Sequence, residues 1–132
     1  MLTRMRQLIY ESVSTDRNAA AVAPSILRGA RPFNGVNGVS GLLCASGDRF
    51  LQIVEGPDES VDAVMRRIQD DPRHHRIDVI ADDAVEDRAF GDWAMAYRDQ
   101  GHPAALLDER VRLLVARAPA DIRERFRRFV GT

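Results

Sequence analysis

Two apolar runs, Val39 to Ala45 and Phe50 to Glu55, stand on either side of Ser46-Gly47-Asp48. Each run has the length of a strand and is too short for a helix of its own. The residues between them form a hairpin turn, with Gly47 suited to positive φ. Gly56-Pro57-Asp58 closes the pair and starts a helix, Pro57 standing near its first position. Val61, Val64, Met65 and Ile68 follow helical spacing, which leaves Arg66, Arg67 and Asp70 on the wet side.

The rest of the chain is organised around that hairpin. Met5 to Val13 is rich in β-formers and reads as a first strand. Ser14 to Asn18 offers several N-caps, and Ala19 to Ala30 reads as a helix burying Ile26 and Leu27. Pro24 obstructs that helix, because an interior proline removes a hydrogen bond and clashes, at about 3 kcal/mol. The helix therefore either starts near Ala23 or kinks there. Arg31 to Gly38, with a Pro, two Gly and two Asn, reads as a loop. Pro72 ends the second helix at Asp71. Ile77 to Ile80 alternates as a strand, Asp82 to Asp87 reads as a solvated acidic loop, and Trp93 to Tyr97 reads as a last strand. After Gly101-His102-Pro103 the pattern is helical, from Ala104 to about Arg117 and again from Pro119 through Phe129, with Ile122, Phe126 and Val130 on one stripe.

Strand, helix, two strands, helix, strand, a further strand and two helices define an α+β fold. Both crossovers are long enough to return the chain in parallel. The arrangement is a ferredoxin-like βαββαβ sandwich with an extra strand, two helices on one sheet face and a C-terminal helical pair. Residues 1–99 form the expected main domain, and 100–132 a helical extension packed on it.

Composition excludes several function classes. Net charge is −1, so the overall balance offers nucleic acid or a membrane surface no attraction. No apolar run approaches the roughly 20 residues that cross a bilayer, and the stretch after Arg4 and Arg6 is too short for a signal peptide. The lone Cys44 forms no internal disulfide and reads as a small core residue, so a cytoplasmic protein is expected. All 19 basic residues are Arg, so any bound phosphate must be held by Arg, His or backbone N–H.

Most candidate constellations have plain readings. Asp70-Asp71 and Asp82-Asp83 have no apolar surroundings to raise a carboxyl pKa. His74-His75 cannot share a metal, since neighbours on a strand face opposite sides. Gly35, Gly38 and Gly41 follow no phosphate-binding motif, and Arg127-Arg128 reads as a wet face. Tyr10 and Gln52 are different, because each interrupts an apolar strand. Gln52 either faces solvent or, facing inward, needs partners for its amide, since an unpaired buried amide costs about 1–3 kcal/mol. Tyr10 and a bound heteroaromatic ligand would both serve. Pattern leaves that choice open.

Spaced blocks then resemble the BLUF family, sensors of blue light using flavin adenine dinucleotide. They include Ile9-Tyr10-Glu11-Ser12, Ala30-Arg31-Pro32-Phe33-Asn34, Gly38-Val39-Ser40-Gly41-Leu42-Leu43 and Gly47-Asp48-Arg49-Phe50-Leu51-Gln52-Ile53-Val54-Glu55-Gly56-Pro57. Arg67-Ile68-Gln69-Asp70-Asp71-Pro72-Arg73-His74 and Arg88-Ala89-Phe90-Gly91-Asp92-Trp93-Ala94-Met95 complete the series. The resemblance implies a ferredoxin-like fold holding FAD between the two sheet-packed helices. It implies that Tyr10 and Gln52 are the photoactive pair, Tyr10 losing an electron and a proton under light and Gln52 rotating or tautomerising. It places Asn34 at the flavin's pyrimidine edge and Ile68 on its ring. Arg31, Arg73 and His74 would stand near the ring or the ribityl-phosphate tail, with Ser12 and Asp71 also in the cofactor site. Trp93 and Met95 match the pair that relays the signal, one of them beside the glutamine. Ala30, Ser40, Cys44-Ala45 and Pro32-Phe33 depart from the family pattern.

The implied function is a photoreceptor without enzymatic activity. It would signal through the Trp93–Tyr97 strand and the C-terminal helices, to a separate downstream protein or within a homodimer or higher homo-oligomer. The alternatives are a small ferredoxin-like enzyme, for which no activated nucleophile is visible, and a flavin-free interaction module.

Overall fold

A computed structural model describes residues 4–98 and 105–130. Its strands are β1 (Met5–Ser14), β2 (Ser40–Ser46), β3 (Arg49–Pro57), β4 (His74–Ala84) and β5 (Ala96–Arg98). Its helices are α1 (Ala19–Val36), α2 (Asp58–Gln69), α3 (Ala105–Arg117) and α4 (Ala120–Val130). The strands form one five-stranded sheet in the order β4-β1-β3-β2-β5. β3 is antiparallel to β1 and β2, and β4 is antiparallel to β1, so both helical crossovers join parallel strands. β5 adds to the edge, parallel to β2. This is the expected ferredoxin-like sandwich with its extra strand.

The hairpin forms as its sequence requires. Ser46 pairs with Arg49, Gly47 takes φ 59°, and the turn's Gly47 carbonyl accepts from the first amide of α1, Ala19 N, at 2.9 Å. Strand alternation then gives the sheet two apolar faces. Leu8, Tyr10, Leu43, Phe50 and Val54 lie under α1 and α2. Ile9, Leu42, Cys44, Leu51 and Ile53 lie under α3 and α4, which contribute Leu107, Val111, Ile122, Phe126 and Phe129.

Several expected boundaries move. α1 neither starts late nor stops at Ala30: it runs to Val36 with Pro24 and Pro32 inside it, so most of the expected loop from Arg31 is helical. Both prolines are exposed while Ala23, Leu27 and Asn34 are buried. Carbonyls left without a donor on that wet side can bond water, and the buried stripe keeps its packing. Asp82 and Asp83 belong to β4 and not to a loop; Asp82 is held by Arg6 at 2.7 Å. The last strand is only Ala96–Arg98, so Trp93, Ala94 and Met95 precede it in irregular chain outside the sheet. Gly101 to Ala104 and the expected division at 99/100 lie outside the described residues.

Candidate functional site

Tyr10 on β1 stands directly opposite Gln52 on β3, and that register puts both side chains on the face under α1 and α2. Gln52 faces inward because it shares its side of β3 with Phe50 and Val54, and β3 has a neighbour on each flank. Tyr10 is 2% exposed and Gln52 3%. The Tyr10 hydroxyl donates to Gln52 Oε1, and Gln52 Nε2 donates to Met95 Sδ at 3.5 Å. A thioether is a weak acceptor, so one end of the amide is firmly bonded and the other loosely. Burial, and secondarily the negative charge of Asp71, hold the Tyr10 phenol pKa far above its ordinary value.

In front of this pair, between α1 and α2, lies a narrow cleft. Its apolar walls are Ile26, Leu43, Phe50, Val64 and Ile68. Asn34, Arg67, Asp71, Arg73 and His74 supply polar groups. Arg73 donates to both oxygens of Asp71, the closer contact being 2.7 Å, and reaches Ser25 Oγ on α1 at 3.2 Å. This contact ties the segment between α2 and β4 to α1 beside the cleft. Desolvation works to raise the Asp71 pKa, but the hydrogen bonds and charge of Arg73, with His74 adding to them, outweigh it and hold the carboxyl below its usual value. Asp71 is therefore a bonded, half-buried group just past the end of α2.

His74 reaches the cleft through an irregularity. The β1–β4 register slips by one residue between Glu11 and Val13, where Arg76 takes φ 54°. The extra residue returns His74 to the Tyr10 face, since a one-residue slip reverses every side chain beyond it. Its Nε2 donates to the Ile68 carbonyl at 2.8 Å, and Nδ1 pairs with Ser12 Oγ at 2.8 Å. Ser12 is thereby a buried support for His74 and does not line the cleft.

Two other expected site residues do not face the cleft. Arg31 is exposed and donates to the Met95 carbonyl at 3.0 Å, so it holds the chain at Met95. Trp93 packs, half-buried, against the core on the opposite sheet face. Met95, 1% exposed, is the residue beside Gln52. Asn34 does line the cleft, and its Nδ2 donates to the Ala94 carbonyl at 2.9 Å.

Arg67 was missed by helical spacing, which put it on the wet side. Its guanidinium lies 4.7 Å from the centre of the Phe33 ring, and the side chain lines the cleft. It passes so close to Gly29 that a Cβ there would lie 2.9 Å from Arg67 Nη2. The pairing of a glycine on α1 with an arginine on α2 is a spatial signal that spacing along α2 cannot carry.

Comparison with known proteins adds the family. Residues 5–96 match the family model described as BLUF, sensors of blue-light using FAD. The chain belongs to the BLUF family. It is 40% identical over 97 residues to the photoactivated adenylate cyclase subunit beta of Euglena gracilis, a match covering 70% of this chain and 11% of that protein. The chain thus spans about a tenth of the length of such curated relatives. The dark-state structure of the BLUF protein BlrB superposes with a TM-score of 0.72 at 28% identity, covering 96% of each chain. Klebsiella pneumoniae BlrP1 with FMN and cyclic diGMP gives a TM-score of 0.70 at 26% identity over 82% of this chain and 30% of that one.

BLUF domains are flavin-binding blue-light sensors, and the cleft has the chemistry such a group needs. Apolar walls suit an aromatic ring system. Asn34 and Gln52 present amides, which both donate and accept, as a pyrimidine edge requires. Arg67 and Arg73 offer cations for a phosphate.

Proposed function

We propose that this BLUF chain holds FAD in the cleft between α1 and α2, and that Tyr10 with Gln52 is its light switch. The supporting observation is the buried Tyr10–Gln52–Met95 chain of contacts at the back of the cleft. Asn34 and Gln52 would hold the pyrimidine edge, Ile68 would pack on the ring, and Arg67, Arg73 and His74 would line the side toward ribityl and phosphate. When bound, the flavin supplies an electron acceptor that blue light activates.

The protein's part is to control one proton and one amide. In the dark, burial keeps the proton on Tyr10. Once oxidised, Tyr10 releases it along the hydrogen bond to Gln52 Oε1. When electron and proton return to Tyr10, the composition of the site is unchanged, and Gln52 is left rotated or tautomerised. Its weak contact to Met95 Sδ is then the bond easiest to exchange. Met95 precedes β5, and Arg98 on β5 donates to Asp108 on α3 at 2.7 Å, which continues the route to the C-terminal helices. A separate downstream protein or a second copy of the chain would read that change, and the sensor itself would catalyse nothing. Ser12 on His74 resembles a nucleophile with its base, but Ser12 is 1% exposed and lies outside the cleft walls. No helix among the described residues is long and apolar enough to cross a membrane.

The test is spectroscopic. The purified protein should carry a yellow chromophore, identified as FAD by mass spectrometry after release, whose absorption shifts reversibly to the red under blue light. Tyr10→Phe should retain the chromophore and lose the shift. A normal reversible shift in Tyr10→Phe would overturn the mechanism.

A further inference from the structure

On the sheet face opposite the cleft, β3 carries a second buried polar residue. Glu55 is 0% exposed, yet it lies in no part of the flavin site. Its carboxylate accepts four hydrogen bonds, from Phe90 N at 2.5 Å and Ser40 Oγ at 3.0 Å on Oε1, and from Ala89 N at 2.9 Å and Gln7 Nε2 at 3.2 Å on Oε2. Arg88 reinforces the knot by donating to Ser40 Oγ at 2.9 Å and to the Gly38 carbonyl at 2.7 Å. A buried carboxylate with this many donors is among the stronger polar contacts a fold can make.

What the knot holds is the segment that leads to Met95. From Phe90 the chain turns, with Trp93 N donating to the Phe90 carbonyl at 3.0 Å, and Gly41 N donates to the Trp93 carbonyl at 3.3 Å. Asn34 and Arg31 then bind the carbonyls of Ala94 and Met95. Strand β3 thus touches the 88–95 segment twice: Glu55 grips its upstream backbone, and Gln52 contacts its downstream side chain. The four bonds at Glu55 contrast with the single thioether contact at Gln52. The backbone of the segment is held along its length, most firmly at Glu55, whereas the Met95 side chain meets Gln52 through one weak contact that can exchange.

We propose that Glu55 is the positioning residue against which the light signal works, a fixed anchor upstream of the weakly held Met95 side chain, so that a change at Gln52 is taken up at the Met95 end of the 88–95 segment and not at Ala89 and Phe90. A segment held at one end resists displacement at the other, and that resistance favours return to the dark arrangement. The proposal rests on the photoreceptor reading above.

Glu55→Gln keeps the shape but replaces one acceptor oxygen with an NH2 group, which meets donors it cannot satisfy. The flavin content and red shift of this variant should match the wild-type protein, because Glu55 touches neither Tyr10 nor Gln52. Its dark recovery should slow roughly tenfold, the factor expected from losing about one hydrogen bond. Recovery within twofold of wild type would overturn the anchor. Hydrogen exchange on the wild-type protein decides the matter if the variant does not fold. The Ala89 and Phe90 amides should be equally protected in dark and light, while exchange changes at Ala94 to Arg98. Loss of protection at Ala89 and Phe90 under light would also overturn the anchor. A wild-type protein with no red shift would sink the photoreceptor reading, and the anchor with it, and is distinct from either result.

Discussion

Arg125→Met tests how the C-terminal helices are held to the sheet. Arg125 on α4 bonds Glu11 Oε2 through Nη1 and lies 3.5 Å from Asp78. The Glu11 side chain is 4% exposed, and its Oε1 has no hydrogen-bond partner among the described residues. Removing the guanidinium leaves a buried carboxylate with neither oxygen paired, while methionine keeps much of the apolar stem. Breaking a buried ion pair from one side costs about 3–5 kcal/mol. The Arg125 side chain is 36% exposed, so water partly replaces it and the cost falls to or below the bottom of that range, about 2–3 kcal/mol. In a chain of this length that lowers Tm by roughly 8–12 °C.

The assay is urea unfolding followed by fluorescence of Trp93, the chain's one tryptophan, which packs against the core that α3 and α4 complete. A second variant separates the ion pair from simple loss of packing. Replacing both partners, Glu11→Leu with Arg125→Met, removes the stranded carboxylate and should recover most of the lost stability. Two results refute the reasoning: Arg125→Met within about 0.5 kcal/mol of wild type, the spread of ordinary surface substitutions, or a double variant no more stable than the single one.

Gly41→Ala should be severely destabilising, because its Cβ would stand 2.0 Å from the Ile53 carbonyl oxygen and 3.3 Å from Met95 Cε. Strand backbones must separate to admit it, at a cost of at least about 3 kcal/mol, and chemical denaturation showing less than about 1 kcal/mol would contradict the packing. Tyr10 gives a pH signature of definite sign. Its folded pKa is raised, so the unfolded chain loses that proton first, near pH 10. Stability should be unaffected by Tyr10 below that pH and fall above it, with Tyr10→Phe removing that part of the fall.

The hairpin was legible because the turn and both runs sit within one short stretch, and local chemistry decides them. Tyr10 and Gln52 were visible only as polar interruptions; their meeting depends on the β1–β3 register, which no local pattern encodes. Pro24 and Pro32 misled because their cost is local, whereas the gain that keeps α1 continuous comes from burying Ala23, Leu27 and Asn34 against the sheet. His74 reached the cleft through the residue inserted at Arg76, which shifts parity without marking the sequence as a glycine or proline would. Arg67 fell on the wet side by spacing, and its length over Phe33, with the room left by Gly29, brings it back. The family blocks supplied site residues that periodicity could not, but geometry divides them: Arg31 and Ser12 support, whereas Asn34, Arg73 and His74 line the cleft.

In the proposed mechanism the two sheet faces give a switch on one side a route to helices on the other. Alternation places Tyr10 toward the cleft and the adjacent Glu11 toward Arg125 on α4. It places Tyr97 in the core beside α1 and the adjacent Arg98 toward Asp108 on α3. Each helix of the C-terminal pair is therefore bonded to the residue next to one on the cleft face, on β1 for α4 and on β5 for α3. Both bonds leave a buried polar atom without a hydrogen-bond partner among the described residues, Glu11 Oε1 and Arg98 Nη1. A small rotation of either strand alters these contacts more steeply than it alters the apolar packing around them, because charged hydrogen bonds depend on direction and burial is non-directional. In that mechanism β3, gripped through Glu55 on one face and carrying Gln52 on the other, is the reference against which β1 and β5 would turn.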